Sequence, residues 1–380
     1  MTTYLLIADA LSSPEMRHEI GEAVMDPMIF IDHDDKRILV GSLLEEPIFS
    51  TREDVIDEFL TDQSLGSEEL ITNEKFPVEM IQAELAARVL RRIGARTVIV
   101  PPAFPLAEAD YLRSTGIDLV IDADAWADRR RRKAPWELEG IERAQRAVET
   151  AMLTAARMLR EAEPTANGQL RFEGEILTSE WIRESMSAEL LMQGAESEEI
   201  IVQSGDACLR GHEPGSGPIL PDQSCIIDCF PRDRRTGVYT DMTRTFVPGT
   251  PSEELKKLHK TCCEALEIAF AAIKPGAKDA HAKVVEHFHR NGFPTKEHHA
   301  GNEPLTEGFW HSLGHGVGLQ VHERPRMGRR PEPFVEGDVV AVEPGLYFPG
   351  IGGVRLEDTV LVTEEGVEHI TDPLSYELTP

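Results

Sequence analysis

The stretch His311-Ser312-Leu313-Gly314-His315-Gly316-Val317-Gly318-Leu319-Gln320-Val321-His322-Glu323 decides how this chain is read. Three histidines fall within twelve residues, interleaved with glycines. Glycine has no Cβ, so its backbone can pass close to a neighbour and adopt dihedrals that other residues avoid. A lone histidine is more often a satisfied structural residue. Three in a glycine-rich segment shift the reading towards ligation or acid–base work, because imidazole carries protons near neutral pH and is a good metal donor.

Carboxylates lie on both sides of this stretch. Downstream, Asp338-Val339-Val340-Ala341-Val342-Glu343-Pro344-Gly345-Leu346-Tyr347 reads as an apolar strand with Glu343 at its end. Gly352-Gly353-Val354-Arg355-Leu356-Glu357-Asp358 follows, where Arg355 and Glu357 share a strand face and Asp358 turns away. Upstream, Asp228 interrupts the apolar run Ile226-Ile227-Asp228-Cys229-Phe230. Asp241 sits on the next strand, Val238-Tyr239-Thr240-Asp241-Met242-Thr243-Arg244, after a turn containing Gly237. A carboxylate inside an apolar strand is costly unless it is paired or bound to a cation. Taken alone, this segment also fits two exposed aspartates on a polar sheet face.

Asp228, Asp241, His315, Glu343 and Glu357 together form a candidate metal set. Four carboxylates carry four negative charges, which two divalent cations balance. A hydroxide bridging the cations would then be the nucleophile of a nearly neutral cluster. One imidazole among oxygen donors suits Mn²⁺, with Co²⁺, Fe²⁺ or Zn²⁺ as other fits. Two metals about 3.5 Å apart clamp both the attacking and the carbonyl oxygen of a hydrolysed bond.

These segments resemble the creatinase, prolidase and methionine aminopeptidase superfamily, peptidase family M24. The stretch 311–323 fits the signature of its aminopeptidase P and prolidase branch. Asp241-Met242-Thr243-Arg244-Thr245-Phe246, Val342-Glu343-Pro344-Gly345-Leu346-Tyr347 and Val354-Arg355-Leu356-Glu357-Asp358 are similar to that branch's other blocks, in the same order. The resemblance covers about residues 133–375. It implies a pita-bread catalytic domain, α+β with an antiparallel sheet, over 133–380, and a creatinase-type α/β N-terminal domain over 1–132. One departure is the spacing of the two aspartates, 13 residues, which exceeds the family's usual connection slightly; the extra residues fall in the turn 231–236.

The resemblance also implies roles. Asp228 binds one metal alone, His315 and Glu343 bind the other, and Asp241 and Glu357 bridge. Glu343 accepts the proton of the attacking water. His322 stabilises the tetrahedral intermediate, and His212 is a substrate-contacting histidine in a Gly/Pro-rich loop. His311 lines the pocket for the proline ring, and Arg355 supports the bridging carboxylates. The expected substrate is a small peptide with proline on the leaving side, cleaved as Xaa-Pro by a homodimer. The alternative is a small-molecule relative, an ectoine-type amide hydrolase or a dimethylsulfoniopropionate lyase. Creatinase, which works without metal, and the catalytically dead binding relatives have lost ligands that this chain keeps.

Residues 1–132 alternate short apolar runs with helical patterns. Strands are expected at 5–8, 28–31, 38–40, 98–100 and 119–121, and helices at 51–60 and 78–93, the latter stopped by Gly94. No glycine-rich phosphate loop follows any of these strands. The run Arg129-Arg130-Arg131-Arg132-Lys133 is expected to be a solvated inter-domain linker. Beyond it, Pro135 opens a long helix with apolar positions Ile141, Ala144, Val148, Ala151, Met152, Ala155 and Leu159. Further helices are expected over 180–192, 252–273 and 279–291, and strands over 200–203, 225–230, 238–246, 339–347 and 354–362.

Composition bounds the rest. The 380 residues are 41% hydrophobic and carry a formal charge of −28, which disfavours nucleic acid and anionic membrane as partners. Ten lysines against 29 arginines leave salt adaptation and codon bias equally open. Five cysteines with no Cys-x-x-Cys indicate neither a disulfide framework nor a zinc site. The first residues show no signal peptide and no apolar run is long enough to span a membrane, so a cytoplasmic location is expected.

Overall fold

The structure is a computed structural model and describes residues 2–300, 303–371 and 374–380. The chain gathers into two compact units, Met1–Arg130 and Arg131–Pro380.

In the first unit, six strands form one mixed sheet. Thr3–Ala8 pairs antiparallel with Met28–His33, and Met28–His33 with Lys36–Gly41. On the other side Thr97–Val100 runs parallel to Thr3–Ala8 and Asp118–Ile121 parallel to Thr97–Val100. The helix Ile81–Ile93 follows a short 3₁₀ turn, Val78–Met80, and ends at Gly94 in the left-handed conformation. It buries Leu85, Ala86, Val89 and Leu90 against the sheet's apolar residues Ile29, Ile31 and Val98.

Two expectations for this unit fail. Residues 51–60 are not a helix. They form a turn and then the strand Glu58–Thr61, which runs parallel to Lys36–Gly41 as the sheet's edge. Here pairing overrides a spacing that fits both elements. Phe59 stacks on Phe49 at 6.0 Å, and the Arg37 amide donates to Asp57 at 2.8 Å. The basic run is not a solvated linker either. Its start belongs to the helix Ala123–Arg131. Arg129 lies 2.9 Å from Asp32 and also binds Glu19, and Arg130 lies 2.9 Å from Glu15. Arg131 meets the buried Asp338 at 2.6 Å, and Lys133 is buried against Glu323.

The second unit is α+β with antiparallel pairing throughout its larger sheets. A three-stranded sheet runs Ile200–Ser204, Cys225–Cys229, Met242–Phe246. The helices Pro135–Glu161 and Ser179–Met192 cover it, sharing a core of Val148, Met152, Met186, Leu190, Val202 and Ile227. Glu137 accepts the Ala134 amide at 2.7 Å and Thr178 accepts the Trp181 amide at 3.2 Å, so each helix starts with a satisfied donor. A five-stranded sheet runs Glu323–Met327, Gly314–Gly316, Val339–Val342, Asp358–Thr363, Gly366–His369. The helices Glu253–Ala272 and Ala280–Arg290 pack on it through Cys262, Leu266, Val284 and Phe288 against Val340, Val342 and Val360. All five cysteines are free, four of them buried.

The strands break where the candidate ligands sit. The apolar run 339–347 is not one strand: it stops at Val342 and resumes as Gly345–Phe348 in a hairpin with Gly352–Arg355. Pro344 has no N–H to continue a ladder, so Glu343 is released from the pleat. The Glu343 amide instead donates to Leu313 O at 2.8 Å. The run 354–362 likewise divides around Glu357, whose amide donates to Thr243 O at 3.0 Å. Regular pairing of 238–246 begins only at Met242, and the Asp241 amide donates to the Thr359 hydroxyl at 3.1 Å. The breaks at Asp241 and Glu357 are thus anchored to the opposite sheet and that at Glu343 to the strand beside it, leaving each side chain free of the strand's alternation.

Candidate metal centre

His315 lies between two close backbone approaches. A Cβ on Gly314 would meet Ala341 O at 2.0 Å, and one on Gly316 would meet Arg324 O at 2.0 Å. Only glycine lets the three strands close around the imidazole. His315 Nδ1 lies 3.2 Å from Gly316 O; with that nitrogen donating, Nε2 keeps its lone pair and stands 3.7 Å from Asp241 Oδ2. Donor atoms of Asp241, His315 and Glu357 all lie within 4.8 Å of one another.

Asp228 and Glu343 line the same cavity, of about 310 Å³, as this trio. Asp228 Oδ2 accepts from Arg355 Nη2 at 2.7 Å. Asp228 Oδ1 and Asp241 Oδ1 are buried and have no hydrogen-bond partner among the described residues. Burial, then repulsion from Glu357, Asp228 and Glu343, pushes the Asp241 carboxyl well above its usual range. Burial, then Glu343 and Asp228, does the same to Glu357. Burial raises Glu343 to about 8, with Arg355 opposing and Asp228 adding to the rise. Unpartnered buried oxygens and mutually repelling carboxylates are what a divalent cation relieves, and the donor set fits one.

His322 faces His315, ring centroids 4.3 Å apart, and lines the cavity with His212. Burial and the neighbouring His212 lower its pKa. Burial and His322 lower His315 to about 4, keeping its imidazole neutral and able to ligate. His311 does not line the cavity among the described residues. Tyr347 OH holds its Nε2 at 3.1 Å, Nδ1 lies 2.7 Å from Ser312 O, and Glu343 Oε2 is 3.9 Å away. It stands beside Glu343, with its side chain partly exposed.

The direct carboxylate partner of Arg355 is Asp228, and Thr243 links it to Glu357; its charge also favours the ionised forms of Asp241 and Glu357. Arg355 Nε approaches the Thr243 hydroxyl at 3.4 Å, and that hydroxyl donates to Glu357 Oε2 at 2.7 Å. Arg355 Nη1 meets Tyr347 OH at 3.0 Å. Thr243 and Tyr347 stood inside the quoted blocks without a role assigned to them. Glu199, Ile201, Phe230 and Val321 also line the cavity. Asp358, though beside Glu357, is turned away and buried against Arg244 at 2.8 Å.

The model of metallopeptidase family M24 matches residues 139–364, more than half of the chain. The chain belongs to metallopeptidase family M24. Among curated members, the Xaa-Pro dipeptidase of Pyrococcus furiosus is 43% identical over 133 residues, 35% of this chain and 35% of that protein. An uncharacterised peptidase of Bacillus subtilis is 35% identical over 184 residues, 47% and 48% of the two chains. The chain thus matches between a third and half of the length of these two curated M24 relatives. In fold the likeness extends over the whole chain. The X-Pro aminopeptidase of Thermotoga maritima superposes with a TM-score of 0.76 at 21% identity, covering 100% and 97% of the chains. The prolidase of Pyrococcus furiosus gives 0.71 at 22% identity, covering 99% and 97%. The M24 unit here is the pita-bread fold expected from the motifs. Family and donor set together make the Asp241–His315–Glu357 cluster a divalent-metal site. Among the described residues no helix is long and apolar enough to cross a membrane.

Proposed function

We propose that this M24 member hydrolyses Xaa-Pro peptide bonds with two divalent cations, Mn²⁺ being the metal favoured by the oxygen-rich donor set. The observation that carries the reading is the cavity itself. Five donor side chains, two of them with unpartnered buried oxygens, share one wall with two histidines that are free to act on a substrate. The relatives named for Xaa-Pro cleavage support the same substrate class.

Asp228, Asp241, His315, Glu343 and Glu357 would hold the metals. When bound, the metals supply Lewis acidity and lower the pKa of water at the site. The chain's own residues do the rest. Arg355 fixes Asp228 in place by its Nη2. Glu343 Oε takes the proton of the attacking water, and its burial beside other carboxylates favours the protonated form. His322, neutral in its partly buried position, donates to the oxyanion that develops on the scissile carbonyl. His212, across the same cavity, contacts the substrate. His311 orients Glu343 and Tyr347. The proposal extends to a homodimer, resting on the resemblance alone, and to a cytoplasmic location, resting on the sequence expectation, with catalysis in residues 133–380 and an N-terminal domain over 1–132.

The test is a rate comparison on Xaa-Pro dipeptides, Xaa-Pro tripeptides, Xaa-Ala analogues and ectoine-type amides with Mn²⁺ present. Cleavage of Xaa-Pro with little action on Xaa-Ala is expected. Equal rates on both peptide sets, or hydrolysis of the amide alone, would move the assignment to the small-molecule relatives.

A further inference from the structure

A fifth carboxylate faces the cavity. Glu199 lines it but lies outside the candidate ligand set. The antiparallel register sets Ile201 opposite Asp228 and Ile200 opposite Cys229. One step further, Glu199 comes opposite Phe230. Side chains alternate along a strand, so Glu199, Ile201, Asp228 and Phe230 share the face that looks into the cavity. Two residues span about 7 Å along a strand, which puts Glu199 one pleat repeat outward from Asp228. Ser197 fixes the turn before it, donating to Glu199 O at 2.6 Å and approaching Phe230 O at 3.4 Å. The Glu199 side chain is exposed and forms no ion pair among the described residues.

A second depression, of about 560 Å³, also takes in Glu199, but Ile200 and the helix residues Glu184 and Leu191 line it, on the other face of the strand from Ile201 and Asp228. Its one cation among the lining residues, Arg183, is tied by Nη1 to the carbonyls of Pro214 and Gly215, at 2.7 and 2.8 Å. Among the described residues, no lysine or arginine lines the metal cavity with Glu199.

We propose that Glu199 is the specificity-determining residue for the Xaa side chain and selects Xaa-Pro substrates whose Xaa is lysine or arginine. The inference rests on the Xaa-Pro reading above. A carboxylate at the mouth repels the free carboxylate on the proline end of a dipeptide, so the proline end turns towards Val321 and His322. The Xaa end then faces Ile201, Phe230 and Glu199. A long cationic side chain passes along the apolar pair and meets Glu199. An acidic Xaa meets only like charge on the same path, an unpaired repulsion that substrate discrimination can use.

The experiment measures kcat/KM for Lys-Pro, Leu-Pro and Glu-Pro with wild type, Glu199→Gln and Glu199→Arg, all loaded with Mn²⁺, alongside metal content. Wild type should prefer Lys-Pro to Glu-Pro by about tenfold, the scale of a partly screened charge pair counted once as attraction and once as repulsion. Glu199→Gln should bring that ratio towards one, mainly through KM, and Glu199→Arg should invert it, with metal content equal to wild type throughout. Hydrolysis with a ratio that neither substitution moves overturns this inference alone. Metal loss in Glu199→Gln also overturns it, by making Glu199 part of the metal centre. Absence of hydrolysis of all three dipeptides by the loaded wild type overturns this inference, and the peptidase reading with it if Xaa-Pro tripeptides are not cleaved either.

Discussion

The guanidinium of Arg355 is paired with Asp228, Nη2 to Oδ2 at 2.7 Å, rather than with Glu357 two residues along its own chain. Both side chains are nearly buried, at 6% and 13% exposure. The pair joins the hairpin of Gly345–Phe348 and Gly352–Arg355 to the three-stranded sheet and holds one metal candidate in a fixed orientation.

Arg355→Met should therefore depend on metal. In metal-free protein it strands the Asp228 carboxylate, and breaking a buried pair costs about 3–5 kcal/mol. With cations bound, Asp228 regains a positive neighbour and the loss should shrink. Urea unfolding with chelator and with Mn²⁺ measures both. Equal losses in the two conditions would make the pair structural only.

His322 stands in the cavity beside His315 but makes no bond that orders the ligands. His322→Ala should lower kcat by about 100-fold or more, as loss of a positioned catalytic group does, with metal content little changed. If metal leaves together with activity, His322 is a ligand and the role given to His315 needs revision.

Much of this was legible in the chain, and the exceptions share a cause. The helix Pro135–Glu161 was readable because seven apolar positions recur at its period and all seven are buried. Asp241, His315 and Glu357 were readable because each sits in a dense local motif. Pro344 signalled a break in the run 339–347, yet the apolar residues on either side masked it. What local pattern does not carry is pairing over distance. Arg355 finds Asp228 across 127 residues, and Arg129, Arg130, Arg131 and Lys133 find acidic partners scattered between Glu15 and Asp338. The end of the segment 51–60 became the strand Glu58–Thr61 because Lys36–Gly41 offered an edge. Glu199 belongs to no motif; only register with the Asp228 strand places it in the cavity.

A pH dependence away from the metal centre follows from His259. Its Nε2 lies 2.6 Å from Tyr376 O, and burial holds its pKa below the ordinary 6.5, outweighing that hydrogen bond. Cys263, one helical turn on, is the titratable group against the ring, and burial followed by repulsion from Glu267 raises it to about 11, so it stays neutral here. A depressed folded pKa means the unfolded chain takes up the proton first. The stability contributed by neutral His259 is present above about pH 6.5 and lost as pH falls below it. His259→Gln should flatten the decline in unfolding free energy between pH 7.5 and 5. Parallel declines in wild type and variant, followed by urea titration at each pH, would sink the idea.

Two neighbouring aspartates should separate metal binding from folding. Asp241 is buried among carboxylates with one oxygen unpartnered, so in the absence of metal its charge has no compensation. Asp241→Asn removes a ligand oxygen and a negative charge, leaving three carboxylates to balance two divalent cations. Metal content should fall from two towards one or none, and activity should fall with it. The metal-free variant should be at least as stable as metal-free wild type, because the substitution removes a repulsion. Asp358 is the converse. It lies beside Glu357 in sequence, but its carboxylate is bound to the buried Arg244 and the Tyr376 hydroxyl. Asp358→Asn should keep both metals and lose about 3 kcal/mol of stability, the scale of an uncompensated buried charge. Metal analysis after dialysis against limiting Mn²⁺, with urea unfolding of both variants, reads the two effects apart. Two tightly held metals and near-normal turnover in Asp241→Asn would end the dinuclear model, and the kinship with M24 enzymes would then be one of fold without mechanism.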